Sequence, residues 1–506
     1  MMIVATSKLV ASQPLHAVCG PSLVFAVAIL ALLSGCAVGP DFVPPSAPVE
    51  KAYIKEGSTQ PTFLANAAQQ SISTNSVVDA EWWRLFRSAS LNDAVTQAIG
   101  NSPTLAASEA TLRQSQDSLQ AGYGVFFPQV QGEFGGARER SAPISEGSQL
   151  PGSIFNYMSA GLNISYVLDI FGGQRRAVEE LSAQRDGQLY ASKAAYVTLT
   201  ANVVNACIAR SAYVAEIQAA TEILKLERDQ LAAIKAQLQA GTAPYTAALT
   251  IQTQIASTAA TLAPLRQRLD QANHLLAMLE GTTPSAAELP EIDFASLALP
   301  RNLPLSLPSE LVRQRPDILQ AEAQMHAANA NVGVVTAAMF PSFSLTGTFG
   351  VAGSSLGNLS PANSKFWSIG PSVSLPVFRG GSLWYGHKAA EDLLVASQAN
   401  YRQTVLTAFQ QVADSINALE HDAEGVQATV DARHAAQENL QMLQINLRAG
   451  VAAEIDVLVA DVQFHQANIA ALEANAQRYQ DTVALFVALG GGWWNTQVAD
   501  GKGATQ

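Results

Sequence analysis

Two stretches of strictly alternating residues constrain this chain more than anything else in it. Between Met339 and Gly381, Phe343, Leu345, Phe349 and Val351 alternate with Ser342, Ser344, Thr346, Thr348 and Gly350. After a polar loop, Trp367, Ile369, Val373, Leu375 and Val377 alternate with Ser368, Gly370, Ser372 and Ser374. A period of two places one residue class on each face of a strand. Each run is about ten residues, enough to cross a bilayer at a tilt, with aromatics near the ends as in interfacial girdles. The same figure occurs earlier, where VFFPQVQGEFGG leads through a Gly/Ser/Pro loop to alternating Met158, Ala160, Leu162, Ile164, Tyr166 and Leu168. Two hairpins make four strands, and lipid tolerates no open sheet edge, so several copies must share one barrel. Three chains would supply about twelve strands, an even number inside the known range.

The rest of the chain reads as long helices. Residues 91–122 are helical, with Pro103 marking an early turn or a first-turn position, and Glu81-Trp82-Trp83-Arg84-Leu85-Phe86 forms an amphipathic lead-in docked by its aromatics. Between Gly173 and Gly241 lie 67 residues, about 100 Å if helical. Tyr213, Ile217, Ala220, Leu224, Leu231, Ile234 and Leu238 recur there at coiled-coil-like spacing. Gly241-Thr242-Ala243-Pro244 stops that helix and starts another, to about Glu280. A connector with five prolines, residues 281–308, suggests a small collar, and then the order repeats. Arg315-Pro316-Asp317 opens a helix to Ala338, the second hairpin follows, a long helix runs from Gly380-Gly381 to Ala449, Gly450 turns it, and a last helix ends at Gly490. Landmarks correspond between halves: Phe127-Pro128 with Phe340-Pro341, and Ala240-Gly241 with Ala449-Gly450. This is a tandem duplication. In each half the two shorter helices together match the long one, at 69 against 67 residues and 69 against 69. Stacked end to end, they predict a wall two helices wide with a hairpin at one end.

The expected domains are therefore a signal segment (1–35), a tether (36–80), a first repeat (81–280, hairpin about 126–171), a connector (281–308), a second repeat (309–492, hairpin about 340–378) and a tail (493–506). Lys8, the apolar run Leu23 to Leu33 and Leu33-Ser34-Gly35-Cys36 resemble a bacterial lipobox, with cleavage before Cys36 and acylation of its sulfur and amine. Ala37 rather than Asp after the cysteine resembles lipoproteins sorted to the outer membrane. Pro40, Pro44, Pro45 and Pro48 prescribe an extended tether, irregular to Val78. Cys19 leaves with the signal, so Cys207 stands alone and no disulfide framework is possible. A net charge of −12 without a Lys/Arg cluster argues against nucleic acid. No HExxH, GxSxG or P-loop occurs, so no catalytic site, cofactor or metal is expected beyond the covalent diacylglycerol and N-acyl lipid on Cys36.

Leu33-Ser34-Gly35-Cys36, Gly39-Pro40-Asp41-Phe42, Glu81 to Phe86, Phe126-Phe127-Pro128, Arg315-Pro316-Asp317-Ile318, Phe340-Pro341-Ser342, Leu375 to Gly381 and Leu489 to Trp493 appear in this order across the mature chain. In that order they resemble the TolC-like outer-membrane factors of tripartite efflux and secretion systems, especially the lipoprotein branch paired with resistance-nodulation-division (RND) pumps. The resemblance implies a mainly α fold with membrane β: a long antiparallel α-helical barrel and four strands per chain in a shared 12-stranded barrel. It implies a homotrimer in the outer membrane, its helices in the periplasm, partnered by a periplasmic membrane-fusion adaptor and an inner-membrane RND pump. It also places the helix-tip turns for adaptor docking at Gly241, Thr242, Tyr245, Gly450 and Val451, and a periplasmic gate at Ile455. Val459 stands where many relatives carry an acid, with Asp456 and Asp461 as replacement gate residues. Two other readings remain: a duct for type I protein secretion or signal-molecule export, and a lipid-anchored coiled-coil scaffold or adaptor without a pore.

Overall fold

The computed structural model describes residues 37–50, 52–55, 62–65, 68–74, 78–140, 153–359 and 364–495. The signal segment, Cys36, the 141–152 loop and the end of the tail lie outside them. Among the described residues there are seven strands: β1 (Thr62–Ala65), β2 (Ala68–Thr74), β3 (Gln129–Arg140), β4 (Ile154–Leu168), β5 (Asn302–Leu305), β6 (Ser342–Gly353) and β7 (Lys365–Ser374). The helices are α1 (Ala89–Asn101), α2 (Pro103–Gly122), α3 (Gly173–Gln239), α4 (Tyr245–Leu279), α5 (Pro308–Gln314), α6 (Pro316–Ala337), α7 (Ser382–Arg448) and α8 (Glu454–Ala488). Each half repeats the same order. The long helices α3 and α7 are both 67 residues, and α4 and α8 are both 35. Among the described residues no helix is long and apolar enough to cross a membrane.

Two expectations change. Residues up to Val78 are not all irregular: β1 and β2 form a hairpin, and β2 pairs in parallel with β5 from the connector. Pro304 is tolerated in β5 because that strand is an edge, where a missing N–H breaks no ladder. The first helix is two helices separated at Ser102, whereas the helix opened by Arg315-Pro316-Asp317 is α6, preceded by the separate short α5. Pro103 starts α2 and Pro316 starts α6, because a residue before proline is pushed out of the α region and proline suits the first helical position. The aromatic lead-in takes the form of a 3-10 turn, Trp82–Phe86, with Trp82, Trp83 and Phe86 buried.

Contacts divide the chain into two compact units that cut across the sequence halves. The first takes residues up to Asp41, Gly122–Glu180 and Asn329–Glu391. Its core is a four-stranded antiparallel sheet ordered β3-β4-β6-β7, in which β4 joins β6 from Met158↔Gly353 to Leu168↔Phe343. Phe171, ending the first hairpin, stacks on Phe340, opening the second, with ring centroids 4.8 Å apart. Asp169 caps the start of α3 by accepting from the Gln174 and Arg175 amides, both at 3.0 Å.

The second unit holds the helical body and the small β1-β2-β5 sheet. Trp82, fully buried, stacks on Phe486 at 5.2 Å, and Tyr479 donates to the Leu297 carbonyl at 2.7 Å. Burying two such aromatics contributes several kcal/mol, which fixes the lead-in where propensity alone would not. Arg315 is the cross-brace. Its guanidinium grips Asp317 at 3.0 and 2.7 Å and donates to the Ala488 carbonyl at 2.8 Å and to Gln411 at 2.7 Å. One buried side chain thereby ties α6, α7 and the end of α8, in the bidentate geometry that only arginine provides.

Candidate functional site: helix tips, buried acids and the amphipathic sheet

Both tip turns are built the same way. Gly241 has φ +72° and Gly450 φ +76°. The Thr242 amide donates to Gln237 and the Val451 amide to Asn446, each at 2.9 Å, closing a Schellman motif whose left-handed residue must lack a Cβ. Thr242 adds its hydroxyl to the same Gln237 carbonyl at 3.0 Å. Tyr245 and Val451 are exposed beside these turns. Under them, Ile234 of α3, Ile251 of α4 and Leu458 of α8 form one apolar cluster, and Gln237 donates to Glu454 at 2.6 Å.

The expected gate residues separate by face. Ile455 and Val459, one turn apart on α8, are exposed and edge a shallow apolar groove with Thr250 and Gln254 of α4. Asp456 is a capping residue, its carboxylate accepting from the Ala453 amide at 3.0 Å. Asp461 is turned away from that stripe. It is buried, 3.5 Å from His465, and faces Glu222. Burial is the main influence on both groups, raising the Asp461 pKa and lowering that of His465 against the opposing pull of Asp461 and Glu222.

The seam of α3 carries acids that periodicity did not reveal. Glu216 and Glu227 are buried among the expected apolar positions. Glu227 accepts from the Thr258 hydroxyl at 2.8 Å, and burial still raises its pKa. Glu216 sits in a polar cavity with Tyr213, Arg268 and Glu473. Burial and the Glu473 charge push it up to about 7, with Arg268 pulling the other way. Asp422 is likewise pushed up to about 7, by burial and then by its hydrogen bond to Asp481. Cys207 is buried and its thiol pushed up to about 12, which leaves it inert.

The N-terminal tether is docked in the first unit by its Gly-Pro-Asp sequence. Gly39, at φ +94°, lies so close to Gly333 that a Cβ on it would stand 2.5 Å from the Gly333 Cα. Asn329 donates to the Pro40 carbonyl at 2.9 Å, the Val38 amide donates to Phe171 at 3.0 Å, and Asp41 pairs with the buried Arg176. Phe42 then stacks on His326 at 4.2 Å.

In the four-stranded sheet the pairing register sorts most apolar residues to one face, with Phe155, Tyr157, Val167 and Phe366 as exceptions on the other. The row Val130↔Ile164↔Gly347↔Ile369 and the row Leu162↔Phe349↔Trp367 lie on one face. On the opposite face Thr348 and Ser368 hydrogen-bond across strands at 2.6 Å. Phe134, Trp367 and Ile369 are about 70% exposed (69, 73 and 69%), an apolar surface that water would not leave uncovered. The outer strands β3 and β7 each present an edge with no partner strand among the described residues.

Comparison with known proteins agrees with this architecture. The cation efflux system protein CusC of Escherichia coli K12 is 30% identical over 482 residues, 93% of this chain and 99% of that protein. The toluene efflux pump outer membrane protein TtgC of Pseudomonas putida is 28% identical over 473 residues, 92% and 94% of the two chains. A probable outer membrane lipoprotein of Salmonella typhimurium, SilC, is 27% identical over 92% of this chain and 98% of its own. The structure of the outer-membrane channel OprN superposes with a TM-score of 0.80 at 26% identity, covering 90% of this chain and 100% of that one. Residues 94–282 and 307–491 match the profile of outer membrane efflux proteins, so the chain belongs to that family of outer-membrane channels.

Proposed function

We propose that three copies of this chain close one twelve-stranded barrel and continue it as a helical duct. That duct would receive cargo from a periplasmic adaptor and an inner-membrane RND-type pump. The observation that carries the reading is a four-stranded sheet with one largely apolar face and, among the described residues, two unpaired edges, since lipid accepts a sheet only when it is closed. Residues 81–280 and 309–492 act as tandem repeats, the 281–308 connector joins them, and residues 36–80 tether the body to a diacylglycerol and N-acyl lipid on Cys36. The relative named as a lipoprotein supports that anchor. Relatives of similar identity are named for cations and for toluene, which supports a passive duct whose cargo is selected upstream. Gly241, Thr242, Tyr245, Gly450 and Val451 form the adaptor-docking tips. Ile455 and Val459 line the closed gate, Asp456 holds the turn beneath them, and Asp461 stays buried beside His465, off the gate stripe.

Purified, acylated chain is expected to run as a heat-labile trimer on gels and to conduct in planar bilayers. A monomeric, electrically silent preparation defeats the proposal. In the same bilayers Ile455→Ala raises closed-state conductance; unchanged conductance removes Ile455 from the gate.

A further inference from the structure

The four membrane strands contain five charged residues, and the faces sort them by sign. On β3, Arg138 and Arg140 continue the alternation of Val130 and Phe134, so they share the apolar face; Glu133 and Glu139 fall on the polar face. On β7, Lys365 shares the apolar face with Trp367 and Ile369. All three cations stand at the strand ends remote from the helices of the same unit, next to the hairpin loops. All three are exposed, and among the described residues none makes an ion pair.

Cations on a lipid-facing surface are tolerated by depth. Near the midplane an arginine costs roughly 2–4 kcal/mol, falling to about 0–1 at the interface. At about 3.3 Å per residue, Arg138 is roughly 26 Å along the strand from Val130 and Arg140 about 33 Å. At a tilt of roughly 40° these become about 20 and 25 Å of height, the top of an apolar band about 25 Å tall. Lys365 lies one same-face position, roughly 7 Å, from the exposed Trp367, the residue type that marks the interfacial girdle. The two edge strands carry all three cations. Closing the barrel edge to edge therefore sets the arginine strand of one protomer beside the lysine strand of the next.

We propose that Arg138 and Arg140, with Lys365 across the protomer seam, form a lipid-facing site for the phosphomonoester groups of a phosphorylated glycolipid in the outer leaflet. Two arginines about 7 Å apart on one face offer paired N–H donors suited to phosphate oxygens, and lysine adds a mobile point charge. Loops on this side face the exterior, so the leaflet they meet is the outer one. The site rests on the barrel reading above, because the seam exists only between copies.

Full-length trimer in phosphatidylcholine nanodiscs, titrated with lipid A and read by native mass spectrometry, tests it. The expected result is bound lipid A on the native trimer, reduced roughly tenfold or more in R138Q/R140Q/K365Q, given the strength of charge-assisted hydrogen bonds. R138K/R140K retains most binding, and Glu139→Gln on the opposite face leaves it unchanged. Equal binding of dephosphorylated lipid A, equal binding by the triple variant, or equal binding of phosphatidylglycerol each overturns the site. Should the triple variant fail to assemble, the single variants R138Q and K365Q carry the test, each expected to lose at least about threefold, and no loss in either overturns it. Bilayer conductance of the same preparations is read in parallel: a conducting trimer without lipid A defeats only this site, whereas a silent monomer defeats the duct.

Discussion

At the residue scale, single positions carry geometry that their neighbours cannot supply. Gly39 meets the Gly333 backbone and holds a positive φ, so a side chain is refused twice, by contact and by conformation. Gly39→Ala is expected to free the tether from α6. Limited proteolysis should then cut residues 37–50 faster than in the native chain, with the helical body unaffected; unchanged cleavage would mean that the Asp41 and Pro40 contacts suffice alone. The tether sequence announced an extended segment, because proline fixes φ whatever surrounds it. It did not announce its docking, since the seat is made by Asn329, Gly333 and Arg176, more than a hundred residues away. Asp456 and Asp461 teach a related point. Five residues apart on one helix, they project in different directions, and only the packed neighbours reveal that one caps a turn while the other is buried beside His465.

At the scale of elements, the long helices are not uniform coiled coils. Glu216 lies inside the α3 seam, its carboxyl pushed from an ordinary 4.5 up to about 7. A carboxyl whose folded pKa is raised binds protons more tightly folded than unfolded. Its protonated form gives stability that is full below about 4.5 and is lost as pH rises through about 7. Asp422 adds the same sign in the same window. Thermal unfolding of the helical body should therefore occur at higher temperature near pH 5.5 than near pH 8. Glu216→Gln should flatten that slope and raise the melting temperature at the alkaline end, the stability gained from this one site being at most about 3 kcal/mol. A native profile flat between those pH values would contradict it. Helix lengths and stops were legible in the sequence, because glycine after a periodic run and proline before one act locally. The buried acids were not. An acid at a seam position becomes informative only when the facing helices are known, here α4 with Arg268 and α8 with Glu473.

At the scale of the whole molecule, the sheet cannot be stable in lipid as one chain, so assembly and folding of the membrane part must be coupled. Heating the detergent-solubilised protein is expected to abolish the trimer band and the β-sheet circular dichroism signal in one transition. A monomer that keeps its full β signal would show that the edges are satisfied some other way. The sequence by itself determined the alternation of the four strands, the repeat of elements, and the glycine and proline stops, since each depends on residues close in the chain. Tertiary structure alone decided that the compact units cut across the two repeats, that Ser71–Thr74 pair with the connector, and which buried acids face one another. The physical reason is range: backbone conformation responds to adjacent residues, whereas pairing and burial depend on side chains brought together from hundreds of positions away.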